Sequence, residues 1–527
     1  MAADWDYLIV GSGFGGSVSA LRLVEKGYRV LMLEQGRRLG PAAFPHTNWN
    51  LKRWLWQPAL GWRGLFRMTF FPHVTVLSGV GVGGGSLVYA NTLPVPQDDF
   101  FAAPSWAHLA DWKRELAPHY ATALRMLGAV ENPALSYPDE VLREIAREDR
   151  RPGAWRPTTV AVYFGEPGLC VADPFFGGEG PARTGCTLCG GCLLGCRHGA
   201  KNTLDRNYLH LAEKRGLVLE ADTEVTWLRP VASGYEVTAR QGASVLPWRR
   251  RARRYRARHV ILAGGVLGTL SLLLRCKGRG DGLPRLSDRI GEFVRTNSEA
   301  VFGVVTPRRD RDLSQGIAIG SILQTDAHSH LEPVRYSAGS GFFRLLGAPH
   351  VSGGGPVGRL ARVAAVMLRH PWTAIRVLLV RDWARQTIVL TYMRTLEGHL
   401  RLRLGRRATR GFRRGLTTAP GQGPAPTAFM PEATALARRV AGKIGGLPMS
   451  LLTETLLGIP TTPHLLGGCV MGEGPETGVI DTRHRVFGHD GLYVVDGSAV
   501  SANPGVNPAL TICALAERAM SLIPPAA

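Results

Sequence analysis

The chain has no run approaching the roughly 18 uncharged apolar residues of a membrane-spanning helix. Its opening, "MAADWDYLIVGSG", shows neither a basic leader nor a small-residue cleavage site. A cytoplasmic location is the expectation. Lysine is scarce, with seven residues among 63 Lys and Arg, so the formal charge of +22 is almost wholly arginine and signals compositional bias as much as a ligand. No nucleic-acid-binding module is recognisable: "WRRRARRYRARH" (248–259) runs directly into the apolar "VILAGG", as the solvated edge of a hairpin would. Nucleic acid is therefore not expected as a partner, whereas peripheral contact with anionic lipid or a lipid-borne substrate suits such a charge. Internal repeats and low-complexity linkers are also missing. Four of the eight cysteines, Cys170, Cys276, Cys469 and Cys513, are scattered, as buried thiols in a reducing compartment would be.

What is present is core material and turns: 45% hydrophobic residues, 65 Gly and 35 Pro in 527 residues, too many for one compact core. "DYLIVG" (6–11) reads as a buried strand, "SVSALRLVEKG" (17–27) as a helix ending at glycine, and "RVLMLE" (29–34) as a second buried strand. Between strand and helix, "GSGFGG" places Gly11, Gly13 and Gly16 in a G-x-G-x-x-G pattern, with Phe14 and Gly15 inside it, where backbone can approach a pyrophosphate at the helix N-terminus. Glu34, ending the second strand, can accept hydrogen bonds from a ribose hydroxyl and would repel a 2'-phosphate. This context makes a dinucleotide site but does not separate FAD from NAD. A second glycine-dense segment, "GVGVGGGSLVYANTL" (79–93), favours FAD, whose bulky ring must lie against backbone.

Residues 98–150 read as helical, 217–264 as strand-rich, 491–500 as strand and turn, and 508–520 as a closing helix. Nucleotide-type signals at both ends and in the middle predict a mixed α/β fold. A discontinuous Rossmann-like FAD domain (1–100, 200–300 and 462–527) interleaves with a substrate-binding domain of sheet and helices (101–199 and 301–461). His464 in "PHLLGGCVMG" is a candidate base, and Asn507 in "GVNPAL" a polar neighbour; each also reads as an ordinary turn residue. The stretch 359–386, apolar clusters alternating with Arg and broken at Pro371, suits either an interfacial surface or a pair of ordinary packed helices.

Taken together, "DYLIVGSGFGGSVSALRL", "GVGVGGGSLVYAN", "HLLGGCVMG" and "GLYVVDGSAVSANPGVNPALTICALAER" resemble the glucose-methanol-choline (GMC) oxidoreductases, within them the cholesterol-oxidase-like branch. The resemblance runs nearly end to end and is weakest over 300–450. It implies oxidation of the CH–OH group of a bulky, apolar, sterol-like alcohol by hydride transfer to FAD, with His464 and Asn507 at the reacting oxygen. It also implies flavin contacts from Gly79, Gly84, Gly85, Asn91, Val225, Asp496 and Gly497, with Asn507 beside the flavin. Leu465 replaces the proline usual after the histidine, and Val88 stands about where some relatives attach FAD covalently, so noncovalent FAD is expected. No glutamate for moving a double bond can be placed, and isomerase activity is not predicted.

"GCTLCGGCLLGC" (185–196) spaces Cys186, Cys189, Cys192 and Cys196 as C-x2-C-x2-C-x3-C. Zinc sites usually pair two separated C-x2-C knuckles, whereas one loop carrying four cysteines resembles a ferredoxin run, although Arg197 stands where proline often follows. An iron–sulfur cluster that passes electrons to a protein or quinone acceptor, a zinc staple, and bare thiols in an oxygen-using oxidase all stay open. So does a noncatalytic flavin- or metal-binding redox protein.

Overall fold

The computed structural model describes residues 3–369, 371–406 and 414–526. Its first sheet has seven strands. Strand β1 (Trp5–Val10) runs parallel to β2 (Val30–Leu33) on one side and to the C-terminal half of Arg251–Leu262 on the other. Val218–Glu220 flanks β2, and Leu492–Val494 lies beside Val260–Leu262, both parallel. Every residue of β2 is buried, as the middle of a sheet covered on both faces requires. Helix α1 (Phe14–Glu25) packs against the closing helix Ala509–Ser521. Its start is pressed so tightly onto neighbouring strand ends that a Cβ on Gly15 would stand 2.0 Å from the Val495 carbonyl oxygen. Gly11, at φ 99°, combines the same crowding with a backbone angle L side chains avoid.

Arginine-rich 251–256 is the solvated edge of a hairpin, as expected. It pairs antiparallel with Tyr235–Gln241, and the same strand then turns parallel partner to β1 from Ala257 onward. Its arginines are exposed or half-buried, while Val260–Leu262, where the strand gains neighbours on both sides, are buried.

The second sheet also has seven strands, in the order Gly347–Pro349, Leu447–Leu451, Ala300–Val305, Thr387–Arg394, Ser329–Val334, Ser321–Gln324 and Trp155–Pro157. Its central pairings are antiparallel. Helices Tyr137–Glu148 and Pro431–Ile444 cover one face, burying Phe302, Val304, Leu331, Leu390 and Tyr392. By the two-residue alternation of a strand, His330, Glu332, Val389, Thr391 and Met393 point to the opposite face. That open face carries the chemistry described below. The helical reading of 98–150 resolves into Asp98–Phe101, Trp112–Met126 and Tyr137–Glu148. Among the scattered cysteines, Cys276, Cys469 and Cys513 are buried, but Cys170 is exposed on a short surface hairpin. No helix among the described residues is long and apolar enough to cross a membrane.

Candidate active site

The segment 296–299 gathers the catalytic candidates. The Thr296 carbonyl accepts a hydrogen bond from Thr462 Oγ1 at 3.2 Å, and Asn297 Nδ2 donates to the Val506 carbonyl at 3.0 Å. Glu299 Oε2 lies 2.7 Å from His464 Nδ1, and Thr462 Oγ1 also donates to Glu299 Oε1. His464 is thereby fixed at both ends: its N–H donates to Thr462 Oγ1 at 2.9 Å and its ring is held by a carboxylate with no solvent exposure. Burial works against the imidazolium charge, but the Glu299 carboxylate outweighs it and, with Glu332 contributing, raises His464 above the usual histidine value. Leu465 does not loosen this loop. Leu466 exchanges both backbone hydrogen bonds with Arg295, and Gly467 and Cys469 donate to the carbonyls of Gly497 and Ser498.

Asp496 caps that facing turn, accepting from Ser498 N at 2.8 Å and from Thr269 Oγ1 at 2.5 Å. Asn507 is buried, and its Oδ1 has no partner. Asn91 is buried at φ 60° with both Oδ1 and Nδ2 unpartnered. Such groups are costly unless a ligand completes them.

The dinucleotide residues form a second constellation. Glu34 accepts from Ser12 N at 3.1 Å, Ser12 Oγ at 2.8 Å and Gly36 N at 2.8 Å, while burial raises it above the ordinary glutamate value. Ser12 Oγ also accepts from Gly83 N, and a Cβ on Gly84 would stand 2.7 Å from the Gly13 Cα, so the two glycine segments are in contact. Gly79 and Gly85 line the same junction, and Phe14 meets Tyr89 edge to face at 5.6 Å. Gly16 is held against the Gly11 carbonyl and Ala263. Val225 sits at a bulge two residues beyond Thr223, whose N–H donates to the Glu34 carbonyl, which places it at the same end as the acid. The uncrowded Gly13 at the start of α1, with the orphaned amides of Asn91 and Asn507, fits a dinucleotide whose ring edge offers both donors and acceptors.

Profiles of the GMC oxidoreductase family match residues 182–281 and 390–516, and an NAD(P)-binding Rossmann-like domain profile matches 9–75. The chain is 46% identical to a cholesterol oxidase of Mycobacterium tuberculosis, over 99% of this chain and 92% of that one. The chain belongs to the GMC oxidoreductase family. A cholesterol oxidase of Acinetobacter baumannii is 43% identical over 99% of this chain and 94% of its own length. The fold is shared with pyridoxine 4-oxidase from Mesorbium loti, at TM-score 0.63 and 16% identity over 98% of this chain and 99% of that one. As a GMC oxidoreductase the protein is an FAD-dependent enzyme acting on CH–OH donors.

In this GMC oxidoreductase Cys186, Cys189, Cys192 and Cys196 line one small cavity with Arg197 and Lys201. Among the described residues no group of three or more His, Cys, Asp or Glu side chains is arranged to hold a metal ion. The four thiols line the cavity without forming such a group, so the expected metal centre is not supported there. Burial pushes the Cys186 thiol up to about 12 and raises Cys192 as well, so without metal these groups are inert thiols.

Sequence reasoning missed three buried residues. Glu299 partners His464; Glu332 is fully buried with Oε2 unpartnered and Oε1 3.2 Å from His330 Nε2. Lys201 Nζ donates to the carbonyls of Leu87 (3.1 Å), Tyr89 (2.9 Å) and Cys192 (2.8 Å), joining the 79–93 glycine segment to the cysteine loop. The only signal for it was rarity, as one of seven lysines. The acids lie in strands and a turn with no motif around them.

Proposed function

We propose that this chain oxidises the hydroxyl of a bulky apolar, sterol-like alcohol to a carbonyl, using noncovalently held FAD, with FAD and substrate domains divided as the sequence suggests. The observation that carries the reading is the His464–Glu299 pair at 2.7 Å. The names of the 46% and 43% identical relatives support the substrate class. An apolar cluster running from Leu87 and Val88 through Tyr336, Phe342, Phe343 and Met449 supplies walls for such a substrate. When bound, FAD would supply the acceptor for the hydride that leaves the carbinol carbon. Glu299 holds Nδ1 of His464, leaving Nε2 to accept the hydroxyl proton, and its charge stabilises the imidazolium that results. The Asn507 amide donates to the substrate oxygen as negative charge develops there. Hydride and proton together account for both electrons and both hydrogens lost by the alcohol.

Anaerobic addition of a sterol should bleach the flavin of the purified holoenzyme. A flavin that no alcohol bleaches would favour the noncatalytic redox protein. Acid precipitation should leave the yellow colour in the supernatant, because no histidine stands at Val88 to retain it.

Oxygen is the direct acceptor in this reading. A second reading, electron exit through an iron–sulfur cluster, is favoured by one feature: four thiols surround the cavity, next to Lys201, a buried cation that no carboxylate pairs with among the described residues. A cluster takes one thiolate per iron, so its ligands stand farther apart than on one ion, and its negative charge would answer the lysine. Iron and acid-labile sulfide assayed in anaerobically purified protein decide between the acceptors.

A further inference from the structure

Helices Pro356–Arg369 and Pro371–Leu378 turn large apolar side chains to solvent. Val357 is 82% exposed, Leu368 80%, Trp372 74% and Leu379 72%, with Leu360 and Ile375 also exposed. His370, between them, lies outside the described residues. These are not side chains of a loosely placed element. Ala374 and Val377 of the second helix, and Val380 just after it, face inward, the two valines packing into the apolar cluster that reaches Leu87 and Val88. Arg359 pins the first helix by donating to the Leu456 carbonyl at 2.9 Å. A held helix pair with its apolar face outward is costly in water unless something covers it.

Charge identifies the cover. Arg362, Arg369, Arg376 and Arg381 are exposed around these residues, and between Glu332 and Asp382 the chain has no acidic residue at all. A protein partner that carried a matching acidic rim would still need an apolar centre of defined shape, whereas an anionic bilayer offers both acidic headgroups and a deformable apolar interior. We propose that the 356–381 helix pair is a membrane-docking surface that seats in the interface of an anionic lipid bilayer. Trp372 and Leu368 enter the headgroup–acyl boundary, and the four arginines meet phosphates. The inward side of the pair then lies over the apolar cluster leading to the flavin loop, so a lipid-dissolved alcohol passes from bilayer to site without crossing water. That last step rests on the proposed sterol-like substrate; the docking itself does not.

The test is flotation of the FAD-loaded full chain with phosphatidylcholine vesicles, with and without phosphatidylglycerol. Binding is expected to the anionic vesicles and to fall as salt rises. Leu368→Asp with Trp372→Asp should weaken partitioning by about tenfold or more, and Arg369→Gln with Arg376→Gln by about fivefold per charge removed. All four positions are exposed, and circular dichroism with flavin content verifies that the variants fold. Activity on cyclodextrin-carried sterol should be unchanged while activity on vesicle-borne sterol falls. Failure of the wild-type protein to bind anionic vesicles, or unchanged partitioning of the Asp variant, overturns the docking surface. A concentration-dependent dimer abolished by the Asp variant would give the face to a second copy instead. Vesicle binding without oxidation of any sterol would keep the surface and sink the substrate assignment.

Discussion

The two sheets carry buried charge in opposite ways. At the C-terminal edge of the first, Glu34 and Asp496 are held by backbone N–H and hydroxyl donors, neutral partners that fix geometry and cannot exchange a proton near neutral pH. On and beside the open face of the second, Glu299, Glu332 and Glu454 lie close enough to perturb one another or His464, and His464 titrates among them. The first arrangement suits binding a cofactor that does not change its protonation at that end. The second suits chemistry in which a proton has to move. Both use buried carboxylates; what distinguishes them is whether the partner can titrate.

Breaking the second arrangement at its centre has the largest expected effect. His464→Ala should retain FAD yet slow alcohol-driven flavin reduction by about two to four orders of magnitude in stopped flow. Equal loss of flavin and activity would instead make the residue part of the cofactor cradle. Glu299→Gln sharpens the comparison by turning the titrating pair into one of the neutral kind. Reduction should slow by about one to two orders of magnitude, since the imidazolium loses its counter-charge. The wild-type rate falls with pH as His464 becomes protonated through its raised pKa; in the variant that acidic limb moves to lower pH, because the charge that raised it is gone.

The smallest effect concerns stability alone. Burial, with Glu299 adding repulsion, pushes Glu454 up to about 8 from the ordinary 4.5. A raised folded-state value means that the stability it contributes is complete below about 4.5 and is lost as pH rises toward 8. Glu454→Gln keeps the acceptor for the Thr461 N–H and removes the titration. Its melting temperature should hold between about pH 5 and 8, where wild type declines.

The contrast also explains what could be read from the chain. Gly11, Gly13 and Glu34 were legible because close backbone approach admits few residue types at fixed spacing, and local sequence carries that demand. His464 and Asn507 stood out only through the family motifs around them, since each alone also reads as an ordinary turn residue. Glu299 and Glu332 were not legible. Their significance comes from pairing across 165 residues in one case and from strand alternation toward an open face in the other, neither of which leaves a local pattern. The arginine run at 251–256 was legible, because a strand with charge on both faces suits the solvated edge of a hairpin.

The strand Arg251–Leu262 has a consequence for how the chain is made. Its last residues lie between β1, built from residues 5–10, and Leu492–Val494, near the other end of the chain. Residues 5–10 therefore wait for some 250 more to be made before they gain that neighbour, and the sheet is complete only once 492–494 have emerged. Closing such separations is slow, and until then the second edge of β1 stays unpaired, apolar and open to wrong partners. An N-terminal fragment ending before residue 490 lacks both Leu492–Val494 and the closing helix, and should be recovered as aggregate. Chaperone occupancy during synthesis is thus set by topology, while the finished enzyme hides the strand from both ends at once.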